Sequence, residues 1–130
     1  HVPNLDACIA FYERFCGMHV FHERPGKGSR IVWMAEPGKE REFIFVMMPD
    51  GKDRSLAMDD YSHFGFALAS REEVDAVADL ARREGCLIWE PRDEPYPVGY
   101  YCGLRDPAGN YVEFSYGQPL GPGAEDMPEP

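Results

Sequence analysis

At 130 residues the chain has the length of one domain, enough to bury about two thirds of its unfolded-chain surface. Its formal charge of −10 at pH 7 disfavours nucleic acid and anionic membranes as partners, and no run of about 18 apolar residues is present to span a bilayer. The four cysteines, Cys8, Cys16, Cys86 and Cys102, show no Cys-x-x-Cys spacing, which predicts reduced thiols in a cytoplasmic protein rather than a zinc site or a disulfide framework.

His1-Val2-Pro3 reads as the end of a strand that begins upstream of this sequence. Asn4 is suited to cap a helix and Asp6 to its first turn. Leu5, Cys8, Ile9, Tyr12 and Phe15 recur at helical spacing and predict a helix near residues 5–16 that Gly17 closes. Strands are predicted over 18–23, 30–35 and 42–48, separated by the turns Pro25-Gly26-Lys27-Gly28 and Glu36-Pro37-Gly38-Lys39. Residues 49–60 are polar and read as a linker.

The same order then repeats. A strand over 61–69 leads to Ser70-Arg71-Glu72-Glu73, a capping box for a helix near 71–84 that Gly85 ends. A strand over 86–90, a proline-rich loop over 91–98 and a hairpin of strands 99–104 and 111–116 follow, the hairpin turning at Asp106-Pro107-Ala108-Gly109-Asn110. Each half reads β-α-β-β-β, over 1–48 and 61–117, with a Pro-, Gly- and acid-rich tail over 118–130 that is expected to be extended or disordered. Gly17 and Gly85 lie 68 residues apart, which sets Phe45 in the place of Glu113 to within a residue or two. The counterpart of His63 then falls upstream of His1.

Strand alternation supplies the candidate site. In 61–68, Phe64, Phe66 and Leu68 share the helix-facing side, and His63, Gly65 and Ala67 the other. In 111–116, Val112 and Phe114 share one face and Glu113 the opposite one, flanked by aromatic residues. A carboxylate there needs water, a cation or a metal. Imidazole and carboxylate together form half of a mixed N/O site suited to Fe2+, Mn2+, Zn2+ or Ni2+. Tyr101 shares a face with Gly99 and Gly103 and is a candidate hydrogen-bond donor or acid. Trp33, Phe43, Phe45 and Met47 are candidates for an apolar pocket wall, with His1 beside them. His19 and His22 are expected to be surface residues.

The chain resembles the vicinal oxygen chelate superfamily, which includes glyoxalase I, fosfomycin-resistance enzymes, extradiol dioxygenases and bleomycin-binding proteins. The resemblance rests on Val2-Pro3-Asn4-Leu5-Asp6-Ala7, Cys16-Gly17-Met18, Tyr61-Ser62-His63-Phe64-Gly65-Phe66 and Asp106-Pro107-Ala108-Gly109-Asn110-Tyr111-Val112-Glu113. It implies an α+β fold of two βαβββ modules curled into an incompletely closed eight-stranded cup, with His63 and Glu113 on two metal-ligand positions. Glyoxalase I has a glutamate where Phe45 stands, the extradiol enzymes have a tyrosine where Gly103 stands, and the fosfomycin-resistance enzymes have lysine and serines where this chain has the acidic loop 92–97. The implied function is divalent-metal-dependent lyase or dioxygenase chemistry on a small organic substrate chelated through adjacent oxygens, in a homodimer. The alternative is a metal-free small-molecule binding protein of the bleomycin-resistance type.

Overall fold

Two helices anchor the chain, and both begin and end on the residues that the sequence marks. The computed structural model describes residues 1–26 and 29–120. Helix α1 (Leu5–Cys16) starts where Asn4 Oδ1 accepts the Ala7 N–H at 3.0 Å, and it ends at Gly17 in the left-handed region, φ +61°. Helix α2 (Arg71–Glu84) starts where Ser70 Oγ accepts the Glu73 N–H at 3.2 Å, while Glu73 reaches back to the Ala69 N–H at 2.8 Å. Gly85, φ +75°, ends it. Such caps satisfy backbone groups that a helix cannot satisfy internally.

The chain divides into two units. The first holds His1–Ala57 and the turn Asp106–Asn110. In it α1 is followed by β1 (His19–Gly26), β2 (Ser29–Ala35) and β3 (Phe45–Met47), an antiparallel sheet in the order β1-β2-β3. Residues 1–3 form no strand, but the Val2 N–H donates to the Met48 carbonyl at 2.8 Å and the Val2 carbonyl accepts from Gly51. Cys8, Phe11, Tyr12 and Phe15 of α1, with Val32, Met34 and Met47 of the sheet, are buried and make up the core of this unit.

The second unit holds Met58–Arg105 and the chain from Tyr111 onward. Here β4 (His63–Ala67) precedes α2, and β5 (Leu87–Glu94), β6 (Gly99–Arg105) and β7 (Tyr111–Tyr116) follow it. The order across the sheet is β4-β7-β6-β5, with β4 parallel to β7 and the other pairs antiparallel. Val74, Ala78 and Ala81 of α2 cover Cys102, Leu104, Val112 and Phe114, all fully buried. Each large apolar side chain so removed from water contributes about 1.5–3 kcal/mol.

Three expectations change. Strand β3 is three residues long, because 39–43 fold into turns in which Glu42 and Phe43 N–H groups donate to the Lys39 carbonyl. Strand β5 runs through Pro91 to Glu94, where a loop is predicted. It is the edge strand, so the missing proline N–H breaks no ladder bond on its open side. Strand β1 runs on through Pro25 and Gly26, where a turn is predicted; the rest of that turn, 27–28, and the tail beyond 120 lie outside the described residues. All four cysteines are free thiols, and burial pushes the Cys8 thiol up to about 11 and that of Cys102 to about 12. No helix among the described residues is long and apolar enough to cross a membrane.

Asp106 is the polar centre of the first unit. Although 4% exposed, its carboxylate accepts the Tyr12 hydroxyl at 2.6 Å, the Ala108 N–H at 2.9 Å, the Asn110 N–H at 2.8 Å and the Asn110 amide at 3.0 Å. Burial and the neighbouring carboxylate raise the Tyr12 hydroxyl far above its ordinary range, so it stays a donor at any working pH. Asp106→Ala should therefore cost about 3 kcal/mol of stability by urea unfolding, since it strands two turn N–H groups and a buried hydroxyl, and Tyr12→Phe about 1.5 kcal/mol. A loss under about 1 kcal/mol for Asp106→Ala would show that water replaces these bonds.

Candidate functional site

One row of residues crosses the second sheet on the side away from α2. Gly65 of β4 pairs with Glu113 of β7, Glu113 pairs with Gly103 of β6, and Gly103 pairs with Trp89 of β5. The carboxylate thus stands between two residues that have no side chain. Gly65 leaves its side open, since a Cβ there would lie 3.0 Å from the Glu113 carbonyl oxygen and 3.2 Å from its Cβ. On the other side the Trp89 ring covers Gly103, at 2.2 Å from where a Cβ would be.

His63, two residues before Gly65, shares this face. Its Nε2 lies 3.3 Å from Glu113 Oε2, and its Nδ1 lies 2.6 Å from the Tyr61 carbonyl oxygen. A carbonyl can only accept, so Nδ1 carries the ring hydrogen of the neutral imidazole. Nε2 then presents a lone pair to a carboxylate oxygen. Two acceptors facing each other at that distance need a proton or a cation between them. The separation also matches two neighbouring donors around one ion, with bonds of about 2.0–2.2 Å. The donor set, one imidazole nitrogen and one carboxylate, therefore fits a divalent transition metal. Among the described residues no third His, Cys, Asp or Glu joins the pair.

The surroundings orient both groups. Gln118 Nε2 donates to the other Glu113 oxygen, Oε1, at 2.9 Å. The His63 ring meets Trp89 edge-on at 5.6 Å, and Trp89 meets Tyr111 at 5.5 Å and Tyr61 at 6.5 Å. The pair is thus rimmed by aromatic rings. Glu113 is the more enclosed partner, its side chain 13% exposed against 38% for His63.

The remaining candidates are dispersed. Tyr101 pairs with Ser115 on the same sheet face as Glu113, and the Arg92 guanidinium stands 6.0 Å over its ring. In the first unit Trp33 and Val46 pair on one face, while Met34 pairs with Phe45 and Val32 with Met47 on the other. The second face is the one toward α1, since Phe45 packs edge-on against Tyr12 at 5.1 Å. Phe45 and Met47 thus belong to the α1 side rather than to one wall with Trp33, a correction to the predicted pocket. Phe43 is exposed in the preceding turn and touches Phe45. His1 is exposed next to Gly51. His19 lies 3.4 Å from Glu40, and His22 packs on Trp33.

The repeat aligns within the residue or two that the glycine spacing allows. The Met48 carbonyl accepts from Val2 as the Ser115 carbonyl accepts from Leu68. Counted from those bonds, Val46 and not Phe45 holds the place of Glu113, and Val46 is exposed as a residue on that face should be. Sequence reasoning missed Gln118, Trp89 and the Tyr61 carbonyl. Alternation across β5 and β6 pairs Trp89 with Gly103, whereas nothing in the sequence signals the Gln118 bond.

A family model for the Glyoxalase/Bleomycin resistance protein/Dioxygenase superfamily matches residues 1–114. The chain belongs to this superfamily. It is 76% identical, over its whole length and 93% of the relative's, to a Pseudomonas aeruginosa protein described as uncharacterized protein PA2024. Its fold is similar to that of two solved superfamily proteins. One is a mutant of the genomically encoded fosfomycin resistance protein FosX from Listeria monocytogenes, in complex with Mn(II) and 1S,2S-dihydroxypropylphosphonic acid (TM-score 0.71, 17% identity, 90% of this chain and 86% of that one). The other is the trypanothione-dependent glyoxalase I of Leishmania major (TM-score 0.65, 20% identity, 89% and 81%). These likenesses establish the α+β superfamily fold.

A Cβ at position 103 cannot coexist with the Trp89 ring in its present place. Gly103→Ala should displace the indole, red-shift the tryptophan emission and weaken the near-ultraviolet circular dichroism, while far-ultraviolet ellipticity is kept. Trp33, the second of two tryptophans, lies in the other unit and serves as the internal reference. Unchanged spectra would mean that Trp89 does not rest on Gly103.

Proposed function

We propose that this chain is a divalent-metal-dependent enzyme of the superfamily, acting by lyase or dioxygenase chemistry on a small organic substrate with adjacent oxygens, and that His63 and Glu113 are two of its metal ligands. The observation that carries this reading is the pair Nε2 and Oε2, held 3.3 Å apart with lone pairs that a proton or a cation between them must bridge. An ion bound there would polarise substrate oxygens as a Lewis acid.

The chain's own groups have definable tasks. The Tyr61 carbonyl holds His63 in the tautomer that leaves Nε2 free, and Gln118 holds Glu113 by its far oxygen. Partners of this kind orient ligands and raise affinity. Trp89 and Tyr111 restrict access of water from the β5 side and offer flat surfaces to a substrate. Tyr101, on the same face, supplies a hydroxyl that can donate a proton or hydrogen bond to developing negative charge. Two protein ligands leave positions for a further ligand outside the described residues and for substrate. The free thiols suit a cytoplasmic setting, and assembly as a homodimer follows the habit of the superfamily.

A second reading, a metal-free binding protein, is favoured by one observation: the ring cluster of Tyr61, His63, Trp89 and Tyr111 would also accept a flat aromatic compound. Calorimetric titration of metal-stripped protein with Mn2+, Fe2+, Zn2+ and Ni2+ separates the two. His63→Ala and Glu113→Ala should each weaken binding by more than ~10-fold, and Gln118→Met by roughly 10-fold. Full metal affinity in either ligand variant, with folding intact, would remove that residue from the site. A parent protein that takes up none of the four metals but binds aromatic compounds would establish the second reading.

A further inference from the structure

The second unit holds a cavity of about 280 Å³ at the open end of the β6–β7 hairpin. Its walls include Arg71, Asp93, Glu94, Tyr96, Tyr100 and Tyr116, with backbone from Gly99 and Gly117. Nothing in the metal-site reading uses these groups. Tyr100 is fixed: its hydroxyl donates to Asp75 at 2.6 Å and its ring lies under the Arg71 guanidinium, 4.7 Å from the centroid. Arg71 is committed in turn to Asp93, at 2.6 Å. That pairing neutralises the only cation among the described wall residues and one of their two carboxylates. What remains is Glu94, exposed and with no side-chain ion pair or hydrogen bond among the described residues, beside Tyr96 and Tyr116, each 40% exposed.

The geometry points to a binding site for a small organic cation, an aryl- or alkylammonium compound, in this cavity. Aromatic faces attract ammonium groups through the ring quadrupole, and a neighbouring carboxylate adds a direct charge pair. The net charge of −10 raises the local concentration of cations and lowers that of anions. A small anion would have to displace Asp93 from Arg71 and then face Glu94. A cation has to displace nothing. The volume admits a ligand of roughly a substituted benzene ring, at the lower end of small-molecule sites.

Gln118 lines the same cavity while donating to Glu113. A ligand that moves residues 117–119 therefore alters the support of the proposed metal ligand. This coupling rests on the metal-site reading, whereas binding in the cavity does not.

The test uses phenyltrimethylammonium as probe and benzoate as the control of opposite charge, followed by two-dimensional amide NMR on metal-free protein. The cation should shift resonances of Tyr96, Gly99, Gly117 and Gln118 in a saturable way. Glu94→Gln and Tyr96→Ala should each weaken it at least ~3-fold, and both positions are exposed enough for the fold to be kept. Benzoate should bind at least ~10-fold more weakly. The inference is overturned if phenyltrimethylammonium shifts none of these resonances, if both variants bind like the parent, or if benzoate binds as well. Because metal is absent throughout, these outcomes are independent of whether His63 and Glu113 hold an ion. A subsequent Mn2+ titration at saturating phenyltrimethylammonium should change Mn2+ affinity in the parent but not in Gln118→Met, and no change in the parent would sever the coupling alone.

Discussion

The parallel pairing of β4 with β7 is the constraint on which the site depends. The two strands come from opposite ends of the second module, with α2, β5 and β6 between them in the chain. No turn sets their register, so side chains must. On the helix side Phe66 stacks on Phe114, ring centroids 5.8 Å apart, and Phe114 is fully buried. On the other side Gly65 sits beside Glu113, where a Cβ would crowd it at 3.0 Å from its carbonyl oxygen. A slip by one residue would bring Phe64 and Phe66 to the polar face and carry His63 away from Glu113. Apolar burial on one face thus holds together two acceptors on the other, a contact that has no favourable energy of its own until a proton or an ion enters it.

The two glycines next to Glu113 do different work. Gly65 leaves room beside Glu113, since a Cβ there would lie 3.0 Å from its carbonyl oxygen and 3.2 Å from its Cβ. Gly103 admits an indole, which closes the β5 side and leaves the His63 side open. The site consequently has a direction: a ligand meets the imidazole first, and the carboxylate, less exposed and tethered to Gln118, lies behind it.

Much of this is legible in the residues. Helix limits follow from Asn4, Gly17, Ser70 and Gly85, because capping is local chemistry. The convergence of His63 and Glu113 follows from period-two alternation once the repeat is recognised. The one-residue offset at Phe45, within the margin of the glycine spacing, has a physical origin. The spacing between modules is 68 at the closing glycines but 67 between the matching carbonyls of Met48 and Ser115, because the loops between strands differ in length and a glycine count cannot register that. The second half of strand β5 was hidden by Pro91, which reads as a breaker in sequence and is harmless on an edge. Gln118 was hidden more deeply. Its bond depends on the chain reversing at Gly117, φ +85°, and composition alone does not say which way a Gly-Gln-Pro segment turns.

The corrected register sharpens the chemistry. With Val46 in the place of Glu113, the first unit still carries an apolar residue where the glyoxalase I pattern, by resemblance, carries a glutamate. Neither Phe45 nor Val46 can ligate. The donors identified among the described residues are one neutral imidazole and one carboxylate, which neutralise a single charge of a divalent ion. An ion held by these two groups would keep more positive charge toward substrate than one bound by two carboxylates. In the proposed metal site, such a residual charge would favour substrates whose adjacent oxygens are anionic or become so during reaction.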